Sequence, residues 1–378
     1  MQDQDRNSVV RSWWLTAFQF LILLFFSMFD FYKSGVRIFD IAAFIIIIIF
    51  LLIYFFDLKS LQTIPVILLA VAGIYASFGL LSSENYLTVF ALFINCFLLY
   101  LLSQKELRPS QNQIIIVLLI HLAFFFLQLF YFYAVGDVVN YHYFTDIDPR
   151  LESSIFRPAG LFYEPAIYCY ALFILTTMLD PKKSKYGFLE AVVMFSMVLS
   201  VSLLGFLFAT FIFIRLVFNK KFIAPILCLL PIIFVSKEQF EMIFIFIESR
   251  VLDLGSDASA EGRYGDFFNL FSSENLIYHL VGRGFGASFE QFGSSGASAA
   301  ISAVGVVGVV LFAGWLFFKS RELLVGILSL IAIMISAPIF SYGIFPYWIA
   351  NIICHSNRLR NAMSEQKIKK SMHEDIGQ

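Results

Sequence analysis

The stretch IIIVLLIHLAFFFLQLFYFYAV, residues 114–135, shows what kind of fold this chain can adopt. It contains no Asp, Glu, Lys or Arg, and it is as long as the roughly 20 apolar residues that a helix needs to cross a bilayer. The whole chain is similar: 60% is hydrophobic, 14% is charged, and the mean hydropathy is +0.82. A soluble protein of 378 residues does not need so much apolar surface. The sequence therefore predicts an all-α polytopic integral membrane protein.

About twelve spans are predicted. The clear single spans are Trp13–Phe29, Ile38–Phe56, Ile64–Leu81, Tyr86–Leu102, Ile114–Val135, Pro165–Leu179, Phe222–Val235 and Ala297–Phe318. The apolar run Gly187–Phe218 is too long for one helix and is interpreted as two short spans, broken near Ser200–Gly205, where hydroxyls and glycine can satisfy a turn. The last apolar segment, Leu323–Cys354, contains two prolines and again suits two short helices.

The distribution of basic residues supports twelve spans with both termini in the cytoplasm. With the N-terminus inside, the short outside loops hold only Lys33 and Arg37, while most other cations fall on the cytoplasmic side. An odd number of spans would place the basic tail outside. The predicted organisation is spans 1–5 (residues 1–135), a first outside loop (136–164), spans 6–9 (165–236), a second outside loop (237–297), spans 10–12 (298–354) and a basic cytoplasmic tail (355–378).

The two long outside loops carry the remaining cations, and most of these are arginine: Arg150, Arg157, Lys237, Arg250, Arg263 and Arg283. A guanidinium offers a planar fork of donors that suits phosphate oxygens. One interpretation is a shared anionic site, a diphosphate site, between the loops. The other is ordinary salt bridges with acidic loop residues: Asp146, Asp148, Glu152, Asp253 and Asp266.

The second outside loop has structure of its own. Apolar residues at helical spacing predict an amphipathic surface helix over Gln239–Leu252, and a second short helix is predicted over Arg263–Phe271. A glycine-rich turn, Val281–Gly286, follows; without a preceding strand it is weak evidence for a nucleotide site. Gly305 and Gly308 are interpreted as small residues for close helix packing.

Other features of the chain carry less chemistry. The aromatic residues of the first loop suit either sugar rings or the membrane interface. Asp146-Ile-Asp148 is a weak hypothesis for a metal site. The four cysteines, interpreted as small hydrophobes, show neither disulfide nor metal-ligand spacing (Cys96, Cys169, Cys228, Cys354). Ionisable residues are nearly absent from the spans, apart from His121 and edge residues such as Glu190 and Arg215.

The turn before the sixth span carries a resemblance to a known family. Arg157-x-x-Gly160-x-Phe162-x-Glu164-Pro165 resembles the motif of bacterial O-antigen and exopolysaccharide polymerases, in the O-antigen polymerase and ligase superfamily. Ser200-x-Ser202-x-x-Gly205 in a broken helix pair is similar to the next landmark of that family. Arg263, the glycines Gly282, Gly284 and Gly286, and Gly305-x-x-Gly308 look like its second outside loop and the following span. The similarity covers roughly residues 150–315. Superfamily ligases carry a histidine shortly before that span, where Phe292–Ser298 has none, and this favours a polymerase.

The resemblance implies a substrate class and a place of reaction. It implies an undecaprenyl-diphosphate-linked oligosaccharide as donor and a second lipid-linked unit as acceptor, joined at the outer face of the cytoplasmic membrane. The implied reaction needs no metal and no cofactor. The expected partners are the lipid bilayer and a chain-length regulator and flippase of the same pathway, and no nucleic acid.

The mechanistic hypothesis assigns roles to charged residues of both loops. Arg157 and Arg263 bind the diphosphate, assisted by Arg250 or Arg283, while Gly160, Gly284 and Gly286 form turns. Glu164 is either the general base or a brace that pairs with Arg157. Asp266 and then Glu261 are the next candidates for the base, and His142 and His279 are weaker candidates for proton carriers.

Two alternatives from other classes remain open. A flippase for lipid-linked oligosaccharides, or another transporter, would be expected to line its spans with charged groups. A structural role in polysaccharide assembly is the other alternative.

Overall fold

A computed structural model describes residues 109–139, 155–162, 164–179 and 186–218, with the shorter pieces 20, 23–24, 141, 151–152, 280–282, 301, 305–311 and 314. Its elements are α1 (Gln111–Val135), β1 (Leu151–Glu152), β2 (Ile155–Phe156), α2 (Pro165–Thr177), α3 (Gly187–Leu199) and α4 (Leu203–Phe218). The two short strands pair antiparallel, with Leu151 opposite Phe156. The described part of the chain is therefore mainly helical, which agrees with the predicted class. The other predicted spans and the second outside loop lie largely or wholly outside the described residues.

Both ends of α1 are explained by its sequence. Ser110 is the N-cap: its hydroxyl accepts from the Gln113 backbone N–H, and the Gln113 side chain accepts from the Ser110 N–H. Gly136 ends the helix in the left-handed conformation, with φ 76°, and donates its N–H to the Phe132 carbonyl. The helix corresponds to the predicted fifth span and begins three residues earlier, at the capping box.

The break predicted between two short helices is present. α3 ends at Leu199, residues 200–202 form a turn, and α4 begins at Leu203. Val201 has φ 48°, which is unusual for a β-branched side chain. Such a conformation persists only where the surrounding structure holds it in place.

The packed core lies between α1, α2, α3 and α4. Phe125 of α1 stacks on Tyr168 of α2 at 4.6 Å between ring centroids, and Phe173 of α2 stacks on Phe208 of α4 at 4.4 Å. Tyr168 also donates from its hydroxyl to Ser196 of α3 at 2.8 Å. Aromatic stacking and one buried hydrogen bond therefore connect α2 to the three other helices.

One end of this helix group is held by polar side chains. The Gln111 side-chain amide donates to the Met178 carbonyl, which brings the start of α1 beside the end of α2. Arg215, near the end of α4, donates to the carbonyls of Thr176 and Leu179 at 3.1 and 2.7 Å. It also contacts Glu190, in the first turn of α3, at 3.4 Å. The start of α1, the end of α2, the start of α3 and the end of α4 therefore meet here.

The burial pattern of α1 from residue 113 onward is the opposite of that of a surface helix in a soluble protein, because its polar side chains are buried and many of its apolar side chains are exposed. Its three polar side chains between residues 113 and 135, Gln113, His121 and Gln128, are buried. Its exposed large side chains are apolar or aromatic: Ile116, Leu119, Leu127, Phe130, Tyr131, Tyr133 and Val135. Within the described residues, α1 is the helix long and apolar enough to cross a membrane, and α2, α3 and α4 are shorter apolar helices.

Candidate functional site

The turn that carries Arg157 runs back along α1. Phe156 stacks on Phe132 at 4.5 Å between ring centroids, and Phe162 contacts the ring of His121 at 4.9 Å. Positions 132 and 121 of a helix are about 16 Å apart along its axis, at 1.5 Å per residue. Residues 156–162 therefore descend beside α1 to about its middle, rather than staying at its end.

Gln128 holds this descending segment against α1. Its side-chain oxygen accepts from the backbone N–H groups of Ala159 and Gly160, at 3.0 and 2.9 Å. Its side-chain nitrogen donates to the Val139 carbonyl at 2.9 Å. A single buried amide therefore joins the beginning of the loop, at Val139, to the turn just after Arg157.

Gly160 allows the turn to come this close. It has φ 59°, which a residue with a Cβ rarely adopts, and a Cβ placed there would lie 3.2 Å from the Phe125 backbone nitrogen. The Phe162 N–H closes the turn by donating to the Ala159 carbonyl. Any larger residue at position 160 would push the turn, and Arg157 with it, away from α1.

Arg157 lies near a contact between α2 and the break between α3 and α4. It is half-buried, and its guanidinium lies within electrostatic range of the Cys169 thiol on α2. The Cys169 sulfur is 3.0 Å from the Ser200 hydroxyl, in the break. The structure therefore brings together the two motifs that the sequence places some 40 residues apart.

The break is closely packed around small residues. Ser200 donates its hydroxyl to the Met197 carbonyl at 2.7 Å, so the hydroxyl satisfies the end of α3, as predicted. A Cβ on Gly205 would lie 2.8 Å from the Ser200 Oγ and 3.0 Å from the Cys169 sulfur, and as close to the Met197 carbonyl oxygen as 2.5 Å. Gly205 therefore permits α4 to pack directly on the end of α3.

Gly205→Ala is expected to destabilise the protein by about 1–3 kcal/mol, the usual cost of overpacking. The added methyl would collide with backbone and with the Ser200–Cys169 contact, and neither can move away freely. Thermal unfolding of the purified protein measures the effect. Gly314→Ala is the matched control, because a Cβ there meets nothing within 4 Å. Equal unfolding temperatures for the two variants would contradict the packing described for Gly205.

Glu164 is the N-cap residue of α2, directly after the turn. It is half-buried, its side chain does not cap the helix, and its carbonyl accepts from the Tyr168 N–H. The residue therefore stands at the N-terminal end of α2. Both roles predicted for Glu164, base and brace, are compatible with this position.

One glycine of the later motifs packs against another part of the chain. Gly305, with φ 72°, lies directly against the backbone of Leu280 and Val281, so that a Cβ would collide with the Leu280 carbonyl. The close packing predicted for Gly305 is therefore present, and its partner is the backbone just before Gly282. The other predicted site residues lie outside the described residues: Arg250, Arg263, Arg283, Glu261, Asp266, Gly284, Gly286, His142, His279, Asp146 and Asp148.

Two residues of this site were not predicted from the sequence. Cys169 was interpreted as a small hydrophobe, but it also contacts the Ser200 hydroxyl and lies near Arg157. Gln128 is the other, and its signal in the sequence is an amide in an apolar helix, because such a group needs hydrogen-bond partners. Among the described residues, no three His, Cys, Asp or Glu side chains come together as ligands for a metal ion.

The arrangement offers a half-buried cation on a turn that is held against α1, and a half-buried carboxylate at the start of the helix that follows. Such a pair can bind an anionic group and receive or hold a proton. No protein-family model, no curated protein and no solved structure matches this chain.

Proposed function

We propose that this chain is a multi-pass membrane glycosyltransferase that polymerises polysaccharide repeat units for O-antigen, capsule or exopolysaccharide. It transfers an undecaprenyl-diphosphate-linked oligosaccharide onto a second lipid-linked unit at the outer face of the bacterial cytoplasmic membrane. The observation that carries the proposal is the position of Arg157: a half-buried cation on an irregular turn that is held against an apolar helix at Phe132 and Gln128 and reaches the middle of that helix. Irregular backbone at such depth is tolerated in membrane proteins where it is buried or lines a cavity.

The faces of α1 support the membrane location. Between residues 113 and 135 its glutamines and its histidine are buried and its exposed large side chains are apolar or aromatic, which is the arrangement that lipid favours. On α4, Thr210 is exposed, but its hydroxyl donates to the Phe206 carbonyl of the same helix, so the hydroxyl proton is already hydrogen-bonded. These features support a membrane location for the helices, and the proposal takes the predicted twelve-span topology, in which the turn faces outward.

The chemistry of transfer supports a role for arginine. A lipid diphosphate is already a good leaving group, so the protein has to bind it and stabilise the negative charge that develops as the glycosidic bond breaks. Arg157 fills that role in this proposal, and Arg263, with Arg250 or Arg283, completes the clamp from the second loop. Glu164 or Asp266 accepts the proton of the acceptor hydroxyl.

The buried charges of the described helices favour the polymerase over a flippase. A flippase requires cations that face a pathway between its spans. Arg215 lies between helices, but two of its nitrogens donate to α2 carbonyls and one of these also contacts Glu190. It therefore joins helix ends instead of lining a path.

A deletion strain tests the proposed function. Loss of the gene is expected to leave single lipid-linked repeat units at the outer face of the cytoplasmic membrane, because units still cross the membrane but are not joined. Extraction of the lipid-linked oligosaccharides measures their length. Treatment with an enzyme that reaches only the outer face shows on which side of the membrane they lie. Single units at the inner face would indicate a flippase, and full-length polymer that stays on its lipid would indicate a ligase; either would overturn the proposal.

A further inference from the structure

Gln128 differs from the other buried glutamine of α1 in the distance over which it bonds. Its partners Val139, Ala159 and Gly160 are 11, 31 and 32 residues away along the chain. The other buried glutamine of this helix, Gln113, closes the capping box with Ser110, three residues away. Gln113 therefore bonds at the end of its own helix, whereas Gln128 bonds to the loop.

The capacity of the Gln128 amide matches the needs of the turn. A side-chain carbonyl has two lone pairs, and both find donors in the consecutive N–H groups of Ala159 and Gly160. These N–H groups belong to a segment without regular structure, where an unsatisfied buried donor costs about 1–3 kcal/mol. Only 3% of Gln128 is exposed, so water does not compete for these bonds.

The bonds hold Arg157 at a set depth. Ala159 and Gly160 follow Arg157 by two and three residues. Pro158, which lies between Arg157 and Ala159, has a fixed φ torsion. Phe156, one residue before Arg157, is stacked on Phe132 of the same helix. The backbone on both sides of Arg157 is therefore attached to α1, by a ring on one side and by Gln128 on the other.

We infer that Gln128 is the positioning residue of the Arg157 site: it sets the depth and direction from which the guanidinium meets the diphosphate. The inference rests on the proposed function, because it assigns to Arg157 the task of binding that group. Gln128 does not touch the substrate. It acts through the turn, and a small displacement of a binding group can lower a rate by about a hundredfold.

The variants that test this inference distinguish the role of the Gln128 side-chain oxygen, which accepts hydrogen bonds, from that of its side-chain nitrogen, which donates one. Gln128→Met keeps the length of the side chain and removes all three hydrogen bonds. Gln128→Glu keeps the oxygen that accepts from Ala159 and Gly160 and removes the donor to Val139. Gln113→Met is the matched control, since it removes a buried glutamine amide from the same helix without contact to the turn.

The first measurement is hydrogen exchange of the peptide that covers residues 155–162, in the purified protein. Exchange is expected to accelerate in Gln128→Met and to stay near the wild-type rate in Gln128→Glu and Gln113→Met. Unchanged exchange in Gln128→Met would overturn the inference. This measurement does not depend on any activity, so its result stands even if the deletion strain disproves polymerisation.

The second measurement is polymer formed per amount of folded protein, in the deletion strain carrying each variant. Gln128→Met is expected to lower polymer about tenfold to a hundredfold, Gln128→Glu less, and Gln113→Met not at all. The same substitution is then made in an Arg157→Lys background, where a flexible ammonium depends less on its direction. A smaller relative loss there is expected. An equal loss in both backgrounds would show that Gln128 acts on stability and not through residue 157, and would overturn the inference.

Discussion

Arg157→Ala is expected to abolish polymer formation, and Arg157→Lys to retain only a fraction of it. The removal of one preorganised donor for developing charge typically costs about 10²–10³ in rate. Lysine keeps the charge but loses the planar fork that contacts two phosphate oxygens at once.

The length distribution of the lipid-linked polymer, compared at equal amounts of folded protein, measures this effect. Arg150→Ala is a suitable control, since it removes a cation from the same loop outside the motif and is expected to change polymer little. Wild-type product from both Arg157 variants would remove Arg157 from the mechanism. Equal losses from Arg150→Ala and Arg157→Ala would point to the net charge of the loop instead.

Arg215→Met is expected to lower the free energy of unfolding by about 3–5 kcal/mol, the usual cost of removing one partner of a buried ion pair. The substitution leaves the Glu190 carboxylate, with 1% of its side chain exposed, without its cation. It also takes donors from the carbonyls of Thr176 and Leu179 at the end of α2. Arg215 joins the ends of three helices, so its loss is expected to weaken the packing of all three at this point.

Thermal or denaturant unfolding in detergent measures the loss, and a double variant identifies its cause. If the stranded carboxylate dominates, Glu190→Gln with Arg215→Met should be more stable than Arg215→Met alone. Thr210→Val is the control on the same helix, because Thr210 is exposed and bonds only within α4 as described, and its effect should stay within about 0.5 kcal/mol. A loss of that small size for Arg215→Met would show that the junction does not depend on the ion pair.

Local sequence signals predicted the helices well. The apolar run before Val135 predicts α1, Pro165 marks the start of α2, and the serines before Gly205 mark the break between α3 and α4. Each of these signals acts through the backbone of its own segment, by apolar length, a missing N–H or a hydroxyl that satisfies a turn. The α2 helix ends two residues before the predicted Leu179, because the last turn of a helix has no strong boundary signal here.

The site depended on long-range contacts that no local signal contains. The sequence places Arg157 at the outer edge of a span, whereas the contacts of Phe156, Gly160 and Phe162 place its turn beside the middle of α1. A loop can fold back into the protein only if its buried backbone N–H groups find acceptors there; otherwise it stays at the surface, where water satisfies them. Here that acceptor is Gln128, about 30 residues earlier in the chain.

The sequence by itself determined the apolar helical character of the described part of this protein, the limits of its helices to within about three residues, and the residues that form its motifs. The tertiary structure alone decided that Cys169, within electrostatic range of Arg157, contacts Ser200 in the break, and how far the Arg157 turn runs along α1. The physical reason is the range of the forces involved. Helix formation follows from hydrophobicity and caps within a few residues, while a buried polar group is stabilised only by donors and acceptors that folding brings from elsewhere.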